Sequence, residues 1–229
     1  MPITDSQNAL AGLRRWTLER DDSGPHRVYR DKSGVSYASV THILKETSPQ
    51  WQKDALDRWL ERPTAPMERD VACERGTLAH NHAEYVLKTA AKLARNSANK
   101  RGSWRTGDDG LERAPKGITT WAIEKAIQGA PRVSWSASGY ARGLRSWIGE
   151  NVTAIHAIEF SIHDPRGWAG TADALIDVNG TLCVADWKTS VNARSEEMLS
   201  NYICQTGAYS LGLQHLTGLK PKCGAVVVA

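Results

Sequence analysis

Apolar positions along this chain change their period once, from helical to strand-like. From about Val71 to Arg95 the good helix formers and apolar anchors (Leu78, Ala79, Ala83, Val86, Leu87, Ala90, Ala91, Leu93 and Ala94) follow a helical pattern. Trp51, Ala55 and Trp59 stand four apart and predict a shorter helix over Trp51 to Arg62. Two more helices are predicted, one around Trp121, Ile123 and Ile127, the other after Pro131 around Tyr140, Leu144, Trp147 and Ile148. The pattern then becomes strand-like over Ala154 to Ile162, Gly170 to Asp177 and Leu182 to Lys188. A helix from about Ser195 to Leu213 and an apolar strand, Ala225 to Ala229, complete the chain. Helices, a β meander, a helix and a strand in that order predict an α/β (α+β) fold, a central mixed β-sheet flanked by helices. Ending inside an apolar run is the pattern of a polypeptide truncated there.

Two segments break this regularity. Residues 1–34 carry Asp-Asp-Ser-Gly and Asp-Lys-Ser-Gly, which read as an N-terminal extension of turns and at most a short hairpin. Val35 to Leu44 then makes a β-rich start into a helix and opens a single domain running to residue 229. The stretch of about 96–117 is polar and basic, with Lys100, Arg101, Arg105, Arg113 and Lys116 against Asp108, Asp109 and Glu112. It reads as a flexible solvated loop, or as an arm that tracks phosphates with Trp104 free to stack on a base.

Composition narrows the partners. A length of 229 residues with 41% apolar positions suffices for a sizeable core, and the net charge of +4 suits a polyanion without demanding one. No apolar run is long enough to span a bilayer, and Asp5, Glu19, Asp21 and Asp22 stand where a targeting segment would be acid-poor, so a cytoplasmic protein without a membrane partner is expected. Cys73, Cys183, Cys204 and Cys223 form no C-x-x-C pair and have no histidine at zinc-site spacing. They are expected to be free, buried thiols in a reducing compartment, with neither zinc nor an iron–sulfur cluster.

Candidate chemistry lies at the strand pair. Asn179-Gly180 between two β-rich runs signals a type I′ hairpin, since both residues tolerate positive φ. That turn opposes 178 to 181 and 177 to 182, and by the same register Asp173 to Asp186. Two carboxylates about 5 Å apart repel by about 3 kcal/mol at an effective dielectric of about 20. A hard divalent cation could offset this, and so could Lys188, two residues beyond Asp186 and on its face. An Asp-x-Lys on a strand is often a surface ion pair. Here Leu182, Cys183, Val184 and Ala185 are apolar on both faces, as in a buried central strand, so the polar end points into a crevice.

Two helices carry further candidates. Arg75 to His80 is expected to open a helix, with Arg75 placed to meet a phosphate together with the N-terminal amides. His80 and Glu84 share a face with Leu87 and Ala91; a histidine there is either a satisfied core residue or a neutral ligand to the same ion. Gln205 and Tyr209 are again four apart, able to orient a phosphate, a base or Lys188.

Taken in order, Gly-Thr-x-x-His (Gly76 to His80), Gly-x-x-Asp (Gly170 to Asp173), Asp-x-Lys (Asp186 to Lys188) and Gln-x-x-x-Tyr (Gln205 to Tyr209) resemble the RecB-like branch of the PD-(D/E)XK nuclease superfamily. Tyr37 to Thr41 is similar to the Ser-Val-Thr opening motif of phage exonucleases and mitochondrial genome maintenance exonucleases. The resemblance covers about residue 35 to the end. It implies a PD-(D/E)XK core and a DNA exonuclease dependent on one or two Mg²⁺ or Mn²⁺ ions, serving recombination, repair or degradation in a phage or bacterial cell. It further implies a metal site of His80, Asp173, Asp186 and the backbone carbonyl of Trp187, with Lys188 positioning the attacking water. Gln205, Tyr209, Glu84 and Arg75 would face DNA or support the ligands, Glu159 would be a supporting acid, and a single-strand-binding or recombination protein could be a partner. Ala172 replaces the family's usual proline, and the second acid is Asp rather than Glu. A sequence- or structure-specific endonuclease, or a silent nucleic-acid-binding module of the same fold, are the rival expectations.

Overall fold

A computed structural model describes residues 17–229 together with Leu10 and Leu13. Strands β1 (Glu19–Asp21), β2 (Val28–Arg30) and β3 (Ser36–Ser39) form an antiparallel meander. Ser39 ends it by capping helix α1 (Val40–Glu46), its hydroxyl accepting the His42 N–H at 3.0 Å, which gives the Tyr37 to Thr41 motif a structural role. Helix α2 (Gln50–Leu60) follows, with Trp51 largely exposed and no residue fully buried.

Helix α3 runs from Ala65 to Arg101, started by a proline in its first turn and stopped by Gly102 in the left-handed conformation. This corrects the expected start near Arg75: that residue, Gly76 and Thr77 sit inside the helix, where every amide is already committed to the turn before. The stretch read as a loop also differs. The helix consumes its first third, and a small hairpin of β4 (Arg105–Thr106) and β5 (Glu112–Arg113) follows, with Leu111 buried beneath it. Arg113 anchors the hairpin, donating to Asp177 and Asp109, so this cation is spent on the fold. Helices α4 (Lys116–Gln128) and α5 (Trp135–Asn151) lead into the sheet.

Strands β6 (Val152–Asp164), β7 (Trp168–Val178) and β8 (Thr181–Lys188) form the meander, helix α6 (Glu196–Thr217) follows, and β9 (Cys223–Val228) pairs parallel to β8. Asn179 and Gly180 both have positive φ, 49° and 85°, and Val178 faces Thr181 and Asp177 faces Leu182 in the expected register. The sheet order is β1-β2-β3-β7-β8-β9, with β6 on the other edge of β7. On one face α3, α4 and α5 bury Leu87, Ile123, Leu144 and Ile148 against Ala174, Ile176, Ala185 and Trp187. On the other α1 and α6 bury Val40, Tyr209 and Leu213 against Leu175, Val184 and Ile162. The result is an α/β fold with a mixed central sheet between helical layers.

Two expectations about the ends are corrected. The N-terminal hairpin is not peripheral: Tyr29 and Leu13 are buried, and β3 pairs parallel to β7. Cys183 and Cys223, adjacent in the β8–β9 register with Cα atoms 4.8 Å apart, form a disulfide, while Cys73 and Cys204 are exposed free thiols. A parallel partner forty residues away leaves no local sequence signal. Among the described residues no helix is long and apolar enough to cross a membrane.

Candidate active site

Strand β7 changes partner in its middle. Along one edge it is paired throughout by β6, whereas on the other β3 pairs with Trp168 and Ala169, and β8 only with Ala174 to Val178. Among the described residues Gly170 to Asp173 therefore have no strand partner on that edge, and the sheet opens there. Strand β8 runs on past Ala185, its last residue paired with β7, to Asp186 and Lys188, which stay paired with β9. Into the opening come Asp173 and Asp186 from the sheet, His80 and Glu84 from α3, and Gln205 and Tyr209 from α6, lining a cleft of roughly 390 Å³. Helices packed on opposite faces of the sheet can reach the same point because the sheet has parted.

The acids are held differently. Asp173 Oδ2 accepts the backbone N–H of Trp187 at 2.6 Å, taking the bond a strand partner would have made, and Oδ1 faces His80 Nδ1 at 3.6 Å. Asp186 is buried; its Oδ1 accepts the Gln205 amide at 2.9 Å, and Oδ2 touches the Lys188 ammonium without hydrogen-bond geometry. Burial pushes the Asp186 carboxyl up, with the Asp173 charge adding to this and Lys188 opposing it. The Lys188 ammonium also lies 5.0 Å from the Tyr202 ring centre. Burial works to lower the His80 pKa, but the hydrogen bond and charge of Asp173 outweigh it and the net direction is upward.

Glycine 170 shapes the cleft. A Cβ there would come within 2.5–2.9 Å of the Tyr209 ring and hydroxyl, so only glycine lets that side chain lie over β7. Tyr209 Oη in turn accepts the Gln205 amide at 3.2 Å, so one amide ties tyrosine to Asp186. Burial raises the Tyr209 hydroxyl, keeping it protonated.

Glu159 has φ 48°, rare for a side-chain-bearing residue, and stands between Ile158 and Phe160, which oppose Ala174 and Ala172. It lies across from Asp173 at the cleft edge. Although its side chain is open to solvent, crowding by the surrounding protein and the charges of Asp173 and Glu84 push its carboxyl up to about 7. Glu84 is held by Lys88.

Arg75 is not brought to this cleft. It lines a neighbouring depression with Tyr140, Thr189 and Arg194. The structure adds Arg20 and Arg27 at the cleft, both bound to Asp22 at 2.6 Å, and Thr171, within 3.4 Å of the Tyr29 hydroxyl. Nothing in the local pattern of residues 1–34 marks those arginines; the parallel β3–β7 pairing carries them there.

The donor chemistry suits a divalent cation: two carboxylates, one with a buried oxygen lacking any hydrogen-bond donor, and an imidazole facing the other. Among the described residues no three such side chains converge into a preformed cage, and the Lys188 ammonium stands where a cation would neutralise Asp186.

The model of the PD-(D/E)XK nuclease superfamily matches residues 38–228. The chain is similar to mitochondrial genome maintenance exonuclease 1 of Mus musculus, 24% identical over 220 residues that cover 90% of this chain and 53% of the relative. It is similar to that of Homo sapiens at 24% over 221 residues, 91% and 53%. The chain thus spans about half the length of the curated relatives it matches. A match over most of the chain, on a sheet that parts where two aspartates and a lysine meet, means that this protein belongs to the PD-(D/E)XK nuclease superfamily.

Proposed function

We propose that this protein is a metal-dependent DNA exonuclease that hydrolyses phosphodiester bonds, with Asp173, Asp186 and Lys188 at the centre of its site. The observation that supports this reading most is the buried Asp186 carboxylate beside Asp173 and Lys188 at the parted sheet. The exonucleolytic mode rests on the name of its mitochondrial relatives.

Asp173, Asp186 and the His80 imidazole, with the Trp187 carbonyl, would hold one or two Mg²⁺ or Mn²⁺ ions. Bound there, a divalent ion supplies charge neutralisation at the scissile phosphate and lowers the pKa of water. Gln205 keeps Asp186 from turning away, and Trp187 N–H does the same for Asp173. Lys188, in contact with Asp186, would offer its charge to the attacking water and the phosphate. Arg20 and Arg27 stand at the cleft to meet flanking phosphates, and Asp22 holds them extended.

The test is digestion of end-labelled linear DNA with Mg²⁺ or Mn²⁺. Wild type should shorten it from an end and spare a closed circle, and Asp186→Asn should abolish cleavage while DNA binding survives, because phosphate contacts elsewhere carry affinity. Undiminished cleavage by Asp186→Asn would reject the site, and cutting of closed circles would replace the exonuclease with an endonuclease.

A further inference from the structure

A second cavity larger than the cleft lies beside it. This groove of roughly 650 Å³ runs between α3 and β6, and Glu159 borders both. One bank is a face of α3 bearing Lys88, Lys92 and Arg95, spaced four and three apart and so in a row about 10 Å long. Among the described residues Lys92 and Arg95 are exposed and make no ion pair, and Lys88 is engaged with Glu84. Among the described residues the opposite bank is the edge of β6 that does not pair with β7, with Leu10, Leu13 and Leu18 of the N-terminal segment beside it. Between them the lining includes an apolar patch of Ala91, Ala157 and Trp104, whose indole N–H is already satisfied by Asn99 at 2.7 Å.

We infer that this groove is the path of a single nucleic-acid strand into the acid cleft, with phosphates on the α3 row and unstacked bases against the apolar floor. The inference rests on the nuclease reading and adds to it where the strand lies and that it is unpaired there. A duplex hides its bases in the stack and has no use for an apolar floor, whereas a single strand can place them on alanine and tryptophan surfaces. A strand edge of this kind could also take a peptide, but β6 has two register shifts, at Val152/Ala154 and Ile155/Ala157, and positive φ at Glu159. Those irregularities break the even spacing that an added strand requires. Unpaired cations beside a cleft built for phosphate chemistry favour the polyanion. Glu112 and Glu159 are the acids of the groove, and both lie off the α3 row.

The experiment measures binding of a fluorescent single-stranded oligodeoxynucleotide to cleavage-silent Asp186→Asn, with and without Lys92→Ala and Arg95→Ala, over a series of salt concentrations. A blunt duplex is measured in parallel. Both substituted side chains are exposed, so folding should survive, and an unchanged melting temperature verifies it. Losing two phosphate contacts should flatten the slope of log K against log salt by about 1.4 and weaken single-strand binding roughly tenfold at about 0.15 M salt, with duplex binding changed less than about twofold. Full affinity and slope in the substituted protein would overturn the inference and leave the groove to a peptide. Equal losses for single strand and duplex would overturn the unpaired strand. If the parent binds neither DNA, the nuclease reading falls and this inference with it.

Discussion

At Gly170 a methyl group would collide with Tyr209, and relief requires moving either the ring or strand β7. Overpacking of this kind costs about 1–3 kcal/mol. Gly170→Ala is therefore expected to fold with a lowered melting temperature and to lose much more activity than stability, since Tyr209 shares the Gln205 amide with Asp186. Comparing its thermal melt with its cleavage rate checks this; a melt shifted as in a core variant with cleavage intact would separate Tyr209 from the acids. His80 makes a second residue-scale case. A protonated imidazole cannot bind a metal, and Asp173 raises the His80 pKa above its ordinary 6.5. Metal affinity should accordingly begin to fall at a higher pH than an ordinary histidine would give, and His80→Ala should need more Mn²⁺ for half-maximal cleavage and lose that pH dependence. Mn²⁺ titrations of both proteins at several pH values decide between a ligand and a core histidine, for which the titration curves would coincide.

At the scale of elements, the β4–β5 hairpin depends on one buried carboxylate. Asp177 accepts Arg113 Nε at 2.5 Å and contacts His156 Nε2 at 2.9 Å, and Arg113 also grips Asp109. Burial works against the Asp177 charge, but the hydrogen bonds and charges of His156 and Arg113 prevail and lower its pKa to about 2. Since the folded value lies below the unfolded one near 3.8, the stabilisation is present above about pH 4 and is lost as pH falls towards about 2. Asp177→Asn should remove much of this acid-dependent loss and lower stability at neutral pH. Removing one partner of a buried pair typically costs about 3–5 kcal/mol. Urea unfolding of both proteins between pH 2 and pH 7 measures it; parallel pH profiles would show that the hairpin is held by Leu111 and its backbone alone.

For the whole molecule, the repulsion between Asp173 and Asp186 makes stability depend on what neutralises them. A cation that binds the folded site and not the unfolded chain stabilises by about 2.7 kcal/mol at a hundredfold excess over its Kd. For a chain of this size each kcal/mol raises the melting temperature by about 2–4 °C, so Mn²⁺ should raise it by roughly 5–10 °C. Asp173→Asn combined with Asp186→Asn should melt at a temperature insensitive to Mn²⁺, and a retained Mn²⁺ response in that variant would place the ion elsewhere.

How much of this was legible in the sequence divides by range. Local physics determined the elements and their order: the 3.6-residue period of α3, the positive-φ Asn179-Gly180 turn, and the hairpin register, which the ladder follows as far as Ala174 and Ala185 and leaves one residue short of the two aspartates. It also singled out His80, Lys188, Gln205 and Tyr209, because spacing along one helix or strand fixes which side chains share a face. Where α3 begins was misplaced, since a helix held by packing extends through residues that local cues mark as its start. Only the tertiary structure decided what depends on chain segments far apart. The partner exchange along β7 opens the sheet at the acids, the parallel β3–β7 pairing delivers Arg20 and Arg27, and the parallel β8–β9 register joins Cys183 to Cys223. It placed Arg75 outside the cleft and made Arg113 an anchor, because a side chain's neighbours across the sheet are set by pairings between strands that no local pattern encodes.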